Sequence, residues 1–178
     1  MDKDQRSDSP SAKASVDLSR DVFMRDLIRE LAGTLEDVIG LEDAAGYISV
    51  VGQLIGEKID SEYKKALSID RLNQRQVGDV LVDLKRRIDG RFYIVEETED
   101  RIVFGNSQCP FGDKVIGRPS MCMMTSNVFG HIAAENLGYS KVVLEETIAE
   151  GHSGCRVVVH LRPTGDAMAA KGREYVAG

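Results

Sequence analysis

Apolar residues recur at three- and four-residue steps in the first third of the chain, which is typical of amphipathic helices. The first stripe predicts a helix over residues 20–39 and consists of Met24, Leu27, Ile28, Leu31, Leu35 and Val38. After Gly40, the second predicts a helix over about 42–66 and consists of Ala45, Ile48, Val51, Ile55 and Ile59. Gly52 and Gly56 lie one turn apart in that second helix, so we expect another helix to approach it closely.

The pattern then moves from a helix to a hairpin. Asn73 is a suitable N-cap for a third helix that runs to about Ile88, with its core face formed by Val77, Val80, Leu81, Leu84 and Ile88. Residues 91–96 and 101–104 alternate as two strands joined by a turn at 98–100. Residues 105–120 are rich in glycine and proline and predict a constrained loop.

The last third predicts a buried helix and a second hairpin. Residues 121–137 are apolar on nearly every side, so we expect a buried helix that ends at Gly138. Strands follow at 141–148 and 155–161. The order of elements predicts an α+β fold in which N-terminal helices pack with an antiparallel sheet and the buried helix.

The two ends of the chain differ from the rest in composition. Residues 1–19 are polar and predict a disordered arm, and residues 163–178 predict a flexible tail. Between them we expect a single domain over residues 20–162, with a helical part at 20–88 and a cysteine-bearing α+β part at 90–162. No signal peptide and no apolar run of about 20 residues is present, which favours a cytoplasmic protein without membrane contact.

The charge balance argues against direct nucleic-acid binding. The net charge is −6 and the pI is about 5.1, whereas a nucleic-acid footprint needs a basic face. The densest positive cluster, residues 85–87, falls at the end of the third predicted helix. We interpret it as a solvated face that complements the helix dipole.

All three cysteines lie within residues 109–155, and they are the main candidate for chemistry. Their number is odd, so they do not form a disulfide framework. Cys109 lies in the loop, Cys122 at the start of the buried helix and Cys155 at the start of the last strand. Three thiolates suit zinc or an iron–sulfur cluster, with the helix N-terminus favouring the thiolate of Cys122. Inert, buried thiols are the alternative.

A fourth ligand is less evident. His152 shares a turn with Cys155 and is the candidate, whereas His131 and His160 are expected to face away from the nearest cysteine. Asp113 is a weaker candidate. None of the three histidines lies in a catalytic signature, and no phosphate-binding loop is present, so we do not expect an enzyme.

The buried helix offers a second kind of site. Its methionines and phenylalanine, with Phe111 from the loop, suggest a pocket for a small apolar ligand formed by Met121, Met124, Phe129 and Phe111. Ordinary core packing is the alternative for the same residues, because methionine fills gaps well.

Three segments carry a family resemblance: 105–112 with Cys109-Pro110, 122–130, and 151–155 with Gly-His-Ser-Gly-Cys. They resemble the methanogen output domain family, which is related to four-vinyl-reductase-type small-molecule-binding sensor domains. More distantly, they resemble the cysteine-bearing segment of iron–sulfur-dependent repressors, in which Cys109 matches the Cys-Pro position. The resemblance implies a four-vinyl-reductase-like fold that dimerises through its N-terminal helices.

The resemblance also bears on the cysteines. It implies that Cys122 and Cys155 bind zinc or help to hold a cluster, and that Thr147 stands where zinc-binding relatives have a further cysteine. The chain therefore departs from a four-cysteine site.

Together these observations favour a stand-alone sensory and signal-transduction domain. Its cysteine-ligated iron–sulfur cluster, or alternatively zinc, would respond to redox state or a diatomic gas. It would form a homodimer through helices in 20–66 and signal to a kinase or transcription regulator. A regulatory module for a small apolar ligand is the second hypothesis, and a purely structural partner-binding protein is the third.

Overall fold

The computed structural model describes residues 10, 11 and 13–177. Within that part of the chain there are five α-helices: α1 (Arg20–Ile39), α2 (Leu41–Leu67), α3 (Gln74–Arg86), α4 (Cys122–Leu137) and α5 (Gly165–Ala169). The strands there are β1 (Phe92–Glu97), β2 (Arg101–Asn106), β3 (Tyr139–Glu146), β4 (Cys155–His160) and β5 (Arg173–Val176). The predicted α+β class with an antiparallel sheet is confirmed.

The helix boundaries follow from local capping. The Ser19 side chain accepts a hydrogen bond from the Val22 N–H at the start of α1. Gly40 separates α1 from α2 with φ of 84°, which glycine adopts without the strain that a Cβ brings. Asn73 and Gln76 form a reciprocal capping box at the start of α3, so the predicted cap is confirmed.

The sheet has the strand order β1-β2-β4-β3-β5, and every neighbouring pair is antiparallel. Its central strand β4 pairs Cys155 with Asn106 at one end and His160 with Arg101 at the other. The main core lies between the sheet and α3 and α4, and includes Val77, Leu81, Phe104, Phe129 and Ile132. The cysteine and the histidine of β4 therefore lie at opposite ends of the strand.

Helices α2 and α4 approach closely where α2 carries glycine. A Cβ on Gly52 would lie 2.8 Å from the Cβ of Asn127, and one on Gly56 would lie 3.3 Å from the Cβ of His131. Asn127 Nδ2 donates a 2.9 Å hydrogen bond to Ser49 Oγ across the same contact. The predicted close approach of a helix to this face is confirmed, and His131 faces α2 rather than Cys122.

Residues 163–178 were predicted to form a flexible tail, and the structure differs. The segment carries α5 and the edge strand β5, which pairs with β3. The Tyr175 ring packs over Gly130, where a Cβ would come within 2.2 Å of it, and its hydroxyl lies 3.0 Å from Ser126 Oγ. The short strand could not be predicted because Tyr175 is its only apolar side chain that packs against the rest of the domain, which leaves no alternating pattern.

Ile88 was expected in the core but is exposed beyond the end of α3. The loop at 105–120 contains the 3₁₀ turns Gly112–Val115 and Pro119–Met121. The predicted arm at 1–19 lies partly outside the described residues, and 13–19 precede α1 without helix or strand. None of the helices in the described chain combines the length and apolar character needed to cross a bilayer.

Candidate ligand-binding site

The three cysteines line one small cavity between the sheet, α4 and the loop before it. The cavity has a volume of about 30 Å³, enough for one or two water molecules. Cys109 reaches it from the loop after β2, Cys122 from the first turn of α4 and Cys155 from the start of β4. The remaining wall is mostly apolar and comprises Phe92, Asn106, Pro110, Phe111, Val115, Met121, Thr125, Leu144, Thr147 and Val157.

The environment of the thiols keeps two of them neutral. Burial raises the pKa of Cys109, and burial with the neighbouring thiols raises the pKa of Cys122 to about 12. At Cys122 burial outweighs the helix N-terminus, so this environment favours the neutral thiol over the predicted thiolate. Cys155 Sγ accepts hydrogen bonds from the Ile148 N–H at 3.4 Å and from Asn106 Nδ2 at 3.6 Å.

The arrangement gives the predicted metal site little support. Within residues 10, 11 and 13–177, no group of three or more His, Cys, Asp or Glu side chains is placed to hold a metal ion. His152, the predicted fourth ligand, is exposed in its turn, where its N–H is bonded to the Thr147 carbonyl. Asp113 is also exposed. The zinc or iron–sulfur centre on these cysteines therefore stays a prediction.

Thr147 is the residue that stands where zinc-binding relatives were expected to carry a cysteine, and it lines the cysteine cavity. Its hydroxyl donates a 2.8 Å hydrogen bond to Glu150 Oε2 and is also a hydrogen-bond partner of Cys122. The cavity is therefore bounded by three thiols and a hydroxyl at the position where a fourth thiol was expected.

Lys85 is the functional candidate that the sequence interpretation missed. It was assigned to a solvated basic cluster, but it is buried, with 4% of its surface exposed. Its Nζ donates a 2.7 Å hydrogen bond to Thr125 Oγ1 and lies 5.3 Å and 5.4 Å from the ring centroids of Phe92 and Phe129. The spacing of Val77, Leu81 and Lys85 at four-residue steps was the available signal, because it places the lysine on the apolar stripe of α3.

Electrostatically, Lys85 is coupled to the cysteine cavity. Burial lowers its pKa to about 8, while Cys109, Cys122 and Cys155 act on it in the opposite direction. No carboxylate is among the groups that shift it. A buried ammonium without a carboxylate partner is costly, and such groups cluster at functional sites.

Two larger cavities adjoin the small one. A cavity of about 400 Å³ lies between α1 and α2, and a cleft of about 520 Å³ lies between α1, the end of α3 and the loop at 108–112. Lys85 lines the cleft directly. Phe111 borders all three spaces, Met121 borders the small cavity and the α1–α2 cavity, and Met124 borders the two larger ones.

Three of the four residues of the predicted apolar pocket line these cavities, and the fourth does not. Phe111, Met121 and Met124 line the adjoining cavities, whereas Phe129 belongs to the main core and is fully buried. Its ring makes edge contacts with Phe92 and Phe104 at 5.5 Å and 5.2 Å between centroids. Phe129 therefore packs against the Lys85 ammonium in the core and lines none of the three cavities.

By its fold the chain is an α+β domain of the output class. The family model for methanogen output domain 1 matches residues 27–160, and the chain belongs to that family. The resemblance found in the cysteine-bearing segments is confirmed. No curated protein sequence matches this chain.

Solved structures share the fold at low sequence identity. The phenol-responsive sensory domain of the transcription activator PoxR, solved with phenol, is 17% identical over 86% of this chain and 81% of that one, with a TM-score of 0.61. A trafficking protein particle complex subunit 3 from Naegleria fowleri, covalently bound to palmitic acid, is 10% identical over 88% of this chain and 99% of that one, with a TM-score of 0.61.

Proposed function

We propose that this chain is a non-enzymatic sensory module that binds a small, largely apolar molecule and passes the signal to a regulatory protein. The single observation that carries the proposal is the meeting of three cavities at Phe111. The family and the fold shared with a phenol-responsive sensory domain support the same interpretation. The apolar ligand module, our second hypothesis from sequence, thus replaces metal sensing as the leading one.

The residues that line the cavities suggest how ligand binding changes the helices at the surface of the protein. The α1–α2 cavity is lined by Ile28, Leu31, Leu35, Tyr47, Ile48 and Val51 with Phe111, Met121 and Met124, among others. A ligand that displaces Phe111 or Met124 therefore changes the packing of α1 on α2. A kinase or transcription regulator that contacts these helices would receive the change.

The experiment uses toluene as a neutral probe and measures its affinity by ligand-observed NMR. Met124→Phe fills space next to both larger cavities, so we expect it to weaken toluene binding at least fivefold. Met123→Phe is the matched control, because its side chain is on the same helix and lines none of the three cavities. Equal binding by the two variants would contradict the proposed site.

Metal analysis of protein purified without oxygen tests the metal-centre prediction in parallel. Iron with matching sulfide, or zinc, at one equivalent per chain would restore the cluster or zinc hypothesis. We expect metal well below one equivalent, because two of the thiols have raised pKa values and Lys85 places a positive charge beside them.

The exposed apolar surface of α1 and α2 favours a second copy of this chain as the partner. Helices α1 and α2 expose large apolar side chains, including Phe23, Leu31, Val38, Tyr47, Val50 and Leu54, each more than half exposed. Leu54→Glu should shift the chain from dimer to monomer in light scattering, whereas Val95→Glu, on the exposed side of β1, should not. A wild-type chain that is monomeric at all concentrations would refute the dimer.

A further inference from the structure

Lys85 is a buried cation with a single hydrogen bond, and the partly exposed Arg25 on the same cleft has one buried donor atom without a partner in the described part of the chain. The Lys85 ammonium has one hydrogen bond, to Thr125, and no carboxylate acts on it. Arg25 bonds Asp21 through one end of its guanidinium, but its Nε is buried without a hydrogen-bond partner among the described residues. Both residues line the cleft of about 520 Å³.

The rest of the cleft is largely apolar. Met24, Ile28, Ile88, Phe111 and Met124 form the apolar part of the wall. Asp21, Asp89 and Gln108 also line the cleft, and both aspartates are exposed. A volume of this size falls in the usual range for small-molecule sites. The cleft therefore combines an apolar wall for an apolar body with the buried positive charge of Lys85.

The Lys85 ammonium has Thr125 as its hydrogen-bond partner, and no carboxylate among the described residues is paired with it. The aromatic faces of Phe92 and Phe129 offset only part of the cost of burying an ammonium. The Lys85 ammonium therefore lacks a counter-charge that an anion from outside the chain would supply.

We propose that the sensed molecule is a carboxylate with an aromatic or aliphatic apolar body, held by its acidic group against the Lys85 ammonium. This inference rests on the proposed function and names its ligand class. A carboxylic acid is fully ionised at pH 7, whereas a phenol with a pKa near 10 is not, so the buried cation selects the carboxylate. Arg25 lies on the same cleft and adds a second donor.

The test compares benzoate, phenol and toluene, which have similar shapes and different charge. Calorimetric titration at pH 7 of the full chain should give benzoate an affinity at least tenfold above that of toluene. Lys85→Met should lose at least tenfold in benzoate affinity and leave toluene within twofold. Arg86→Met, which removes an exposed charge from the next position, should bind all three probes as the wild type does.

The outcomes separate this inference from the proposed function. Toluene binding without preference for benzoate, or benzoate binding that survives Lys85→Met, overturns the carboxylate and leaves the apolar sensor. Binding of none of the three probes overturns both. Arg25→Gln provides a second variant on the surface of α1, and it should weaken benzoate at least threefold with toluene unchanged.

Discussion

The Nζ of Lys85 donates a 2.7 Å hydrogen bond to Thr125 Oγ1, which joins the end of α3 to the first turns of α4 inside the core. The same ammonium stands over the rings of Phe92 and Phe129. An apolar side chain of similar length fits this environment better than a charged one. The position is therefore better suited to binding a ligand than to stabilising the unliganded fold.

Replacement of the lysine should consequently stabilise the protein. We expect Lys85→Met to raise the free energy of unfolding of the ligand-free chain by about 1–3 kcal/mol, because a buried charge is removed and the volume is kept. Chemical denaturation at pH 7 measures the change. Thr125→Val serves as the companion variant and should destabilise, since it leaves the ammonium without its hydrogen-bond acceptor. A loss of stability in Lys85→Met would show that the lysine is a structural element.

The pH dependence of stability provides an independent check on Lys85. Its pKa is about 8 in the folded chain, against 10.5 for an exposed lysine. Between those values the unfolded chain holds a proton that the folded chain has lost, so stability rises with pH. Cys122, whose folded pKa of about 12 lies above its ordinary 9.0, acts in the opposite direction from about pH 9 upward.

The Lys85 effect is least offset between pH 8 and 9, where an ordinary thiol is at most half ionised. We expect the wild-type chain to gain up to about 1 kcal/mol across this interval, since one pKa unit corresponds to about 1.4 kcal/mol. The thiols of Cys109, Cys122 and Cys155 are the titratable groups that act on Lys85. Cys→Ser variants at these positions measure how much the thiols contribute to the pH dependence of stability. The rise in stability should be lost in Lys85→Met, and a rise that persists there would assign it to another group.

Two glycines of α2 should respond in opposite ways to the same substitution. A Cβ at Gly52 would lie 2.8 Å from the Asn127 Cβ, so Gly52→Ala forces α2 away from α4 and should cost about 1–3 kcal/mol. Gly46 has no atom within 4 Å of its Cβ position, so Gly46→Ala should stabilise the helix by up to about 1 kcal/mol. Thermal unfolding compares the pair. Equal effects would mean that the α2–α4 contact is looser than the structure shows.

Much of the fold could be predicted because each element had a strong local signal. The stripe at 20–39, the Asn73 cap and the apolar helix before Gly138 each combine periodicity with a terminator, and the structure has all three. The strand β5 could not be predicted in this way. It depends on the contact between Tyr175 and Gly130, which is 45 residues away in the sequence and leaves no local pattern.

The site was predictable only in part, for a related reason. Confinement of the cysteines to one segment correctly brought them to one cavity, since loop, helix start and strand start lie at the same end of the sheet. Whether thiols bind metal depends on distances and on burial, which spacing does not encode. Lys85 was hidden because basic residues usually end helices in solvent, and only its position four residues after Leu81 distinguished it from Arg86 and Arg87.

The C-terminal strand should contribute to stability through one residue. The Tyr175 ring packs on Gly130 and its hydroxyl lies 3.0 Å from Ser126 Oγ, while Val176 beside it is 73% exposed. We expect Tyr175→Ala to cost about 2–4 kcal/mol from lost burial and Tyr175→Phe to cost about 1 kcal/mol from the lost hydrogen bond. Val176→Ala is the matched control and should stay within about 0.5 kcal/mol of the wild type.

Urea denaturation of the four proteins measures these differences, and hydrogen exchange of β3 reports the strand pairing directly. Because β5 covers the outer edge of β3, Tyr175→Ala should also speed exchange of the β3 amides bonded to β5 while amides bonded to β4 stay protected. A Tyr175→Ala chain as stable as the wild type, with unchanged exchange in β3, would return residues 163–178 to the flexible tail that the sequence predicted.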